Sequence, residues 1–452
     1  MNSKDKMLVG VISLGCDKNR VDTELMLTFL QQAGYGFTSD PSKADIIIIN
    51  TCGFIANARK ESMDTIVEMI EYKKLGTCKR LIVTGCMPQR WLKDMRKDLP
   101  EVDVFLGIDQ YPYIAKHIED SFANKSTKII KTGTMETIPY VKGRMITTPM
   151  HYAYLKIADG CDNYCTFCTI PSIRGKYRSR EMSVLINEAQ DLVNNGAQEL
   201  ILIAQDITRY GIDLYKKPKL LELIRELSKI TNLKWIRLLY CYPEMITKDL
   251  ITEMQTNPKL CNYIDIPLQH VSDAVLKRMN RKSTKANIEE LIQTIQSQEK
   301  FVAIRTTFMV GFPGETEEDF KQLYDFIKKY KLTHVGFFAY SQEEGTPAGN
   351  MKDQVPEKIK QKRLVELVRL QKKIVAENNK KWIGKVVNVC YEGIDYQKGL
   401  FFGRTQYQSP EIDTICYFKS DLIAEIGSVY KVKIKKVKGY DFIGERIITE
   451  GE

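Results

Sequence analysis

The chain has 452 residues, 27% of them charged and 43% hydrophobic, with a formal net charge of +10. That length supplies material for about two to four domains with full cores, and the ordinary composition excludes a disordered, fibrous or small disulfide-stapled protein. The positive balance suits an RNA or ribosomal partner, but it is spread along the chain and falls short of a nucleic-acid signature. Eleven cysteines, an odd number without dense disulfide spacing, read as metal ligands and core thiols of an intracellular protein.

At the N-terminus, Lys4 and Lys6 precede MLVGVISLGC, which mimics a short signal peptide ending in a lipid-attachment cysteine at Cys16. The apolar run is short for a signal core, and DKNRVDTEL continues directly into a helical pattern, so this reading is rejected. The run Ile46 to Ile49 is far too short to span a bilayer. The expectation is a cytoplasmic monomer without membrane contact.

Residues 1–135 alternate β-branched runs with helical patterns: LVGVIS and a helix over 21–33, DIIIIN and a helix over 56–74, RLIVTG and a helix over 88–97, then VDVFLG. This alternation predicts a doubly wound parallel α/β domain. Cys16, Cys52 and Cys86 each follow a predicted strand, at the carboxyl end where open parallel sheets place ligands. One such thiol is ordinarily an inert core group, whereas three at equivalent ends can converge. Cys78 has no such position. Asp17, Lys18, Asn19 and Arg20 are expected to cap and solvate the first helix, with a role beside the thiols as the alternative.

Residues 136–148 lack a clear period and read as a linker. Over 149–355, strand and helix patterns again alternate in six repeats, predicting a partial (β/α)6 barrel with its chemistry at the carboxyl ends of the strands. The first repeat ends in ADGCDNYCTFCTIPSIRGKYRSR, where Cys161, Cys165 and Cys168 are spaced Cys-x-x-x-Cys-x-x-Cys. A structural zinc site closes with four ligands, and no second Cys or His pair lies nearby in the sequence. A cubic iron–sulfur cluster can take three cysteines and keep one iron open. This spacing with an aromatic before the last cysteine resembles the radical S-adenosylmethionine signature.

In that family the open iron chelates the amino and carboxylate groups of S-adenosylmethionine, and the aromatic, here Phe167, lies against adenine; a hydrophobic shield over the cluster is the alternative. The stretches SLGCDKNRVDTE, NTCGFI and TGCMPQR resemble the N-terminal domain of the methylthiotransferase branch. There the matching cysteines, Cys16, Cys52 and Cys86, hold a second, auxiliary 4Fe-4S cluster. ELILIAQDITRYG, YIDIPLQHVSDAVLKRMNR and TFMVGFPGETEEDF resemble the same branch.

Gln205 and Asp206 end the second barrel strand, and Gln269 and His270 the fourth. They read as cofactor or substrate contacts, or as satisfied polar strand ends. Gly311 to Gly314 resembles a phosphate loop, but Glu315, Glu317, Glu318 and Asp319 behind it would repel phosphate. A turn approaching a cationic sulfonium, with Gly311 as a cofactor contact, fits better. Arg174, Arg178 and Arg180 could meet a carboxylate of cofactor or substrate, or be plain surface basicity. Cys241 and Cys261 read as core or near-site thiols.

Residues 356–382 open with Pro356 and carry Ile359, Leu364, Leu367, Leu370 and Ile374 at helical spacing, predicting a connecting helix. Residues 383–448 change to short alternating strands and resemble a TRAM domain, a small antiparallel β-barrel that binds RNA or protein; Cys390 and Cys416 read as buried strand thiols. Its GRTQYQSPEID segment resembles the branch acting on small-subunit ribosomal protein twelve. The acids Glu411 and Asp413 there would suit a basic protein better than phosphate.

The resemblance therefore implies methylthiolation of an aspartate β-carbon. A 5′-deoxyadenosyl radical takes the hydrogen, the auxiliary cluster holds or delivers sulfur, and a second S-adenosylmethionine supplies the methyl group. A low-potential donor such as flavodoxin or ferredoxin is implied as partner. Two alternatives stay open: a methylthiotransferase acting on tRNA adenosine, and a non-catalytic RNA- or ribosome-binding metalloprotein.

Overall fold

The computed structural model describes residues 7–123, 128–133, 135–420 and 424–448. Near the N-terminus the β-branched runs form β1 (Leu8–Ser13), β3 (Ile46–Thr51), β4 (Arg80–Gly85) and β5 (Val104–Leu106). Two short strands absent from the sequence reading, β2 (Gly36–Thr38) and β6 (Ile129–Lys131), pair at the edges, where three residues each leave too little pattern to detect. All pairings are parallel, in the order β2-β1-β3-β4-β5-β6. The helices α1 (Asp17–Gln32), α2 (Ala56–Leu75), α3 (Cys86–Asp98) and α4 (Ile114–Ala123) pack around it.

A second parallel sheet follows, built from β7 (Tyr152–Lys156), β10 (Glu199–Ile203), β11 (Trp235–Leu238), β12 (Leu260–Asp265), β13 (Ala303–Val310) and β14 (His334–Ala339) in sequential spatial order. Two-residue strands β8 (Ala158–Asp159) and β9 (Arg178–Ser179) pair antiparallel after the first strand. The period-two alternation of a strand divides this sheet's residues between two cores. Leu200 and Leu202 pack outward among the barrel helices, whereas Ile201 and Ile203 join Tyr152, Tyr154 and Tyr263 on the inner face.

That inner face is covered by the N-terminal unit: Val21, Leu25 and Met26 of α1 belong to the same apolar cluster. Helix α1 is thus pressed between its own sheet and the barrel, and it buries Lys18, Asn19, Asp22 and Glu24 together with its apolar residues. The expectation that residues 17–20 solvate the helix fails for Lys18 and Asn19 for this reason. Buried charges need partners, and Glu24 has one in Arg144 at 3.4 Å, which also meets Glu188 at 2.7 Å. Segment 136–148 has no helix or strand, yet these contacts pin its Arg144 to both units.

The long helix Glu357–Lys380 leads to a closed barrel of β15 (Val386–Asp395), β16 (Leu400–Arg404), β17 (Cys416–Lys419), β18 (Val429–Lys438) and β19 (Asp441–Arg446). Its β16–β17 connection reaches back into the open barrel. There Tyr407 joins the inner apolar cluster, Arg237 donates to the Gln406 carbonyl at 2.8 Å, and Arg404 meets Glu199 at 2.8 Å. The Asp413 side chain is buried, paired with Arg305 at 2.6 Å and accepting from Tyr263 at 2.7 Å, while Glu411 meets Arg20 at 2.8 Å. Asp413 is therefore an internal strut, which removes its expected role as an exposed face for a basic partner, whereas Glu411 stays exposed beside Arg20. Among the described residues no helix is long and apolar enough to cross a membrane.

Glu199 carries the tie between the two barrels. Burial alone would raise its carboxyl, but Arg237 at 2.5 Å and Arg404 hold it at about 2 against an ordinary 4.5. A carboxyl depressed on folding stabilises the fold above its unfolded value, so this contribution is complete above pH 4.5 and fades as pH falls towards about 2. Glu199→Gln should leave the fully buried Arg237 guanidinium unpaired and cost about 3 kcal/mol or more. Urea titration at pH 7 checks this; a loss below about 1 kcal/mol would assign the tie to packing instead.

Candidate functional site

Parallel register sets the first three thiols at one end of the N-terminal sheet. Thr51 of β3 lies opposite Gly85 of β4, so Cys52 and Cys86 leave adjacent strands at one level, and Ser13 of β1 lies opposite Asn50. Cys16 is exposed, Cys52 half-buried and Cys86 buried. A Cβ placed on Gly15 would lie 3.3 Å from Cys52 Sγ, which shows how closely the Cys16 loop approaches. Burial pushes the Cys86 thiol up to about 12, opposed by Arg174 and reinforced by Cys16 and Cys52. The Cys86 thiol faces Asn19 Oδ1 at 3.5 Å and Arg174 Nη2 at 3.6 Å.

The second set lies in the loop after β8. Gly160, at φ +76°, bends the chain so that the Cys161 N–H donates to the Gly175 carbonyl at 3.1 Å, and Cys168 precedes the short helix α5 (Ile170–Arg174). Burial pushes Cys161 up to about 11 and Cys168 higher still, with Cys165 reinforcing the rise at Cys168. Cys165 Sγ is 2.9 Å from the Tyr242 hydroxyl and 3.9 Å from Arg281, whose guanidinium also lies over the Tyr242 ring at 4.0 Å. The Ile170 N–H points at Cys168 Sγ at 3.5 Å. Donors aimed at sulfur suit thiolates bound to an electron-rich cluster. Among the described residues no three or more Cys, His, Asp or Glu side chains form a group that could hold a metal ion.

A cavity of about 420 Å³ opens beside Cys165 and Cys168, walled by Arg90 and Trp91 of α3 and by Tyr164 and Pro347. On the barrel side, Gln205 and Gln269 each bury an Oε1 with no partner among the described residues. Gln269 also holds a left-handed backbone at φ +70°. Buried acceptors lacking a donor are costly unless a ligand supplies one. Gln205 donates its amide to Asp159 at 3.0 Å, which fixes the direction of the free oxygen.

The other sequence candidates have internal duties. Asp206, pushed up by burial, accepts from Asn163 at 2.9 Å and the Thr208 N–H at 3.0 Å, so it braces the cluster loop. The Gly311 N–H donates to Glu315 Oε2 at 2.7 Å, and a Cβ there would strike Lys360 at 2.3 Å. The turn is thus closed by its own carboxylate and by the connecting helix. Phe167 packs edge-on against Phe312 at 6.4 Å. Arg174 and Arg180 are buried, contrary to surface basicity. Arg174 does meet carboxylates, those of Asp22 at 2.9 Å and Asp159 at 2.8 Å. Tyr242 and Arg281 were not singled out from the sequence; their signal is position alone, just beyond β11 and in the MNRKS turn.

Three family models match in order: "Uncharacterized protein family UPF0004" over residues 8–107, the radical SAM superfamily over 155–327 and the TRAM domain over 383–447. A protein of Clostridium tetani named ribosomal protein uS12 methylthiotransferase RimO is 48% identical over 97% of this chain and 98% of its own. One of the same name from Clostridium kluyveri is 49% identical over the same shares. The chain belongs to the RimO family. Among solved structures, the radical S-adenosylmethionine methyltransferase TsrM of Kitasatospora setae aligns with a TM-score of 0.55 at 13% identity, over 76% of this chain and 75% of that one. The cobalamin-dependent enzyme OxsB gives 0.52 at 13%, over 81% and 56%. At these identities the likeness is one of fold. Membership of the radical SAM superfamily implies a 4Fe-4S cluster and S-adenosylmethionine.

Gly160→Ala tests the loop. A Cβ would lie 2.1 Å from the Lys176 carbonyl oxygen, and the left-handed backbone adds about 1–2 kcal/mol. Faster hydrogen exchange over 158–180 with unchanged protection of β1, β3 and β4 is expected; unchanged exchange in the loop would mean that the bend is not required.

Proposed function

We propose that the protein is a methylthiotransferase that converts a C–H bond on the β-carbon of an aspartate of ribosomal protein uS12 into C–S–CH3 by radical S-adenosylmethionine chemistry. The observation that supports this reading is the placement of two three-cysteine sets, Cys16/Cys52/Cys86 after the strands of the N-terminal sheet and Cys161/Cys165/Cys168 in the loop after β8, with Arg174 reaching from the helix behind Cys168 to Cys86. Each set offers soft donors for one 4Fe-4S cluster. When bound, these two clusters and S-adenosylmethionine supply the one-electron cleavage, sulfur and methyl group that acid–base catalysis at an unactivated carbon cannot.

The chain's own residues bind and orient. Cys161, Cys165 and Cys168 present three ligands from one short loop, with Tyr242, Arg281 and the Ile170 N–H donating towards their sulfurs. Gln205 and Gln269 offer their unpartnered oxygens to donor groups of the cofactor, such as its ammonium. Phe167 forms an apolar wall, Asp206 holds Asn163 in place, and Gly311 keeps the backbone of the turn low beneath Lys360. A low-potential donor, flavodoxin or ferredoxin, supplies the electron; Cys168, the half-buried thiol of this set, lines the cavity.

Anaerobic turnover with uS12 and unmodified tRNA side by side, read by mass spectrometry, tests the reading. One methylthio group on a uS12 aspartate is expected; modification of tRNA alone would leave the sites standing and overturn the substrate. Cys165→Ala should abolish S-adenosylmethionine cleavage, whereas Cys52→Ala should keep cleavage and lose sulfur insertion. Intact methylthiolation by Cys52→Ala would remove the auxiliary cluster from the scheme. Gln269→Ala should weaken S-adenosylmethionine binding about tenfold or more, the value of a hydrogen bond to a charged group; equilibrium binding to the reconstituted protein measures it, and unchanged affinity would return Gln269 to a purely backbone role.

A further inference from the structure

Arg174 leaves the short helix that follows Cys168, yet its guanidinium ends at Cys86, in the other thiol set. Nη2 is 2.7 Å from Asn19 Oδ1, 2.9 Å from Asp22 Oδ2 and 3.6 Å from Cys86 Sγ, while Nη1 is 2.8 Å from Asp159 Oδ2. Lys156 completes the group, bonded to Asp22 and lying 3.3 Å from Asp159. All four charged side chains are buried, at 5% exposure or less. Two cations and two carboxylates balance, so a thiolate at Cys86 would be the extra negative charge, with Arg174 its nearest cation.

Fork geometry lets one guanidinium serve acceptors on both units at once, and a lysine ammonium could not hold the same four directions. Asn19 is itself fixed, donating to the carbonyls of Leu14 and Thr51 at 3.1 Å each. The arginine is therefore held at the sulfur by groups from three segments, and its approach to Cys86 is not a passing surface contact.

We propose that Arg174 is the positioning residue of the auxiliary cluster: its fixed positive charge and N–H at Cys86 raise that cluster's reduction potential and set it in register with the loop carrying the other cluster. This rests on the reading that Cys16, Cys52 and Cys86 hold a cluster. A cation close to an iron–sulfur centre favours the reduced, more negative state, and donors to its sulfurs act in the same direction. In the low dielectric of a buried site that influence is poorly screened.

The test is a redox titration of the anaerobically reconstituted full chain, followed by electron paramagnetic resonance. Cys161→Ala, Cys165→Ala and Cys168→Ala are combined so that only the auxiliary cluster titrates. Arg174→Gln in that background should shift the midpoint to a more negative potential, and Arg174→Lys, which keeps the charge and loses the fork, should shift it less. Because Arg174→Gln leaves two buried carboxylates facing Lys156 alone, the charge-balanced pair Arg174→Gln with Asp22→Asn is titrated as well and should show the same direction. In the chain with all six cysteines, the midpoint of the other cluster should stay unchanged in each variant.

Iron and sulfide at one cluster per chain with an unmoved midpoint would overturn the proposal and leave the auxiliary cluster standing. Absence of iron and sulfide from the parent background would overturn the auxiliary cluster itself, and the role of Arg174 with it.

Discussion

The structure depends on a buried charge balance between two units. Asp22 comes from the first helix of the N-terminal domain, and Lys156, Asp159 and Arg174 come from the first turn of the barrel. None of the four would be tolerated alone in an apolar interface; Asp159 is paired within the barrel, and Asp22 brings the second carboxylate to Lys156 and Arg174 from the other unit. The two halves are thus matched at one orientation, since sliding either would strand an unpaired ion. That matching brings a guanidinium from the helix after Cys168 to Cys86, more than 70 residues before Cys161 in the chain.

The open barrel is filled by the protein itself. Helix α1 covers its inner face, and the β16–β17 connection supplies Tyr407 and Asp413 to the same surface. A partial barrel cannot complete its interior layers from its own strands, and the remaining apolar positions must be covered by something else. The neighbouring domains do this, so they are parts of one core as well as carriers of their own sites. Of the acidic segment that looked like a recognition face, Asp413 is consumed in this way, and Glu411 stays exposed. The Arg–Glu–Arg arrangement at Glu199 fixes the small barrel to the amino ends of the strands, away from the cysteine loop.

Much of the fold was legible in the chain. Runs such as DIIIIN and ELILI are buried on both faces and therefore nearly continuous in apolar residues, and strands formed at each such run. The edge strands β2 and β6 escaped because three half-exposed residues carry no period. Of the site, the cysteines were legible because they sit at strand ends or in a compact motif. Arg174, Tyr242 and Arg281 were not assignable, because their partners are distant in sequence and an isolated Arg or Tyr reads equally well as surface or core.

The sequence by itself determined the order of the three units, their longer strands and the presence of two three-cysteine sets. These follow from local periodicity and short spacing, which each segment expresses without its neighbours. Only the tertiary structure decided which charges are buried, that Asp206 and Glu315 serve the chain itself while Gln205 and Gln269 keep an oxygen free, and that an arginine from the helix after Cys168 reaches Cys86. Pairing of buried charges is a property of two surfaces brought together, and neither surface alone encodes its partner.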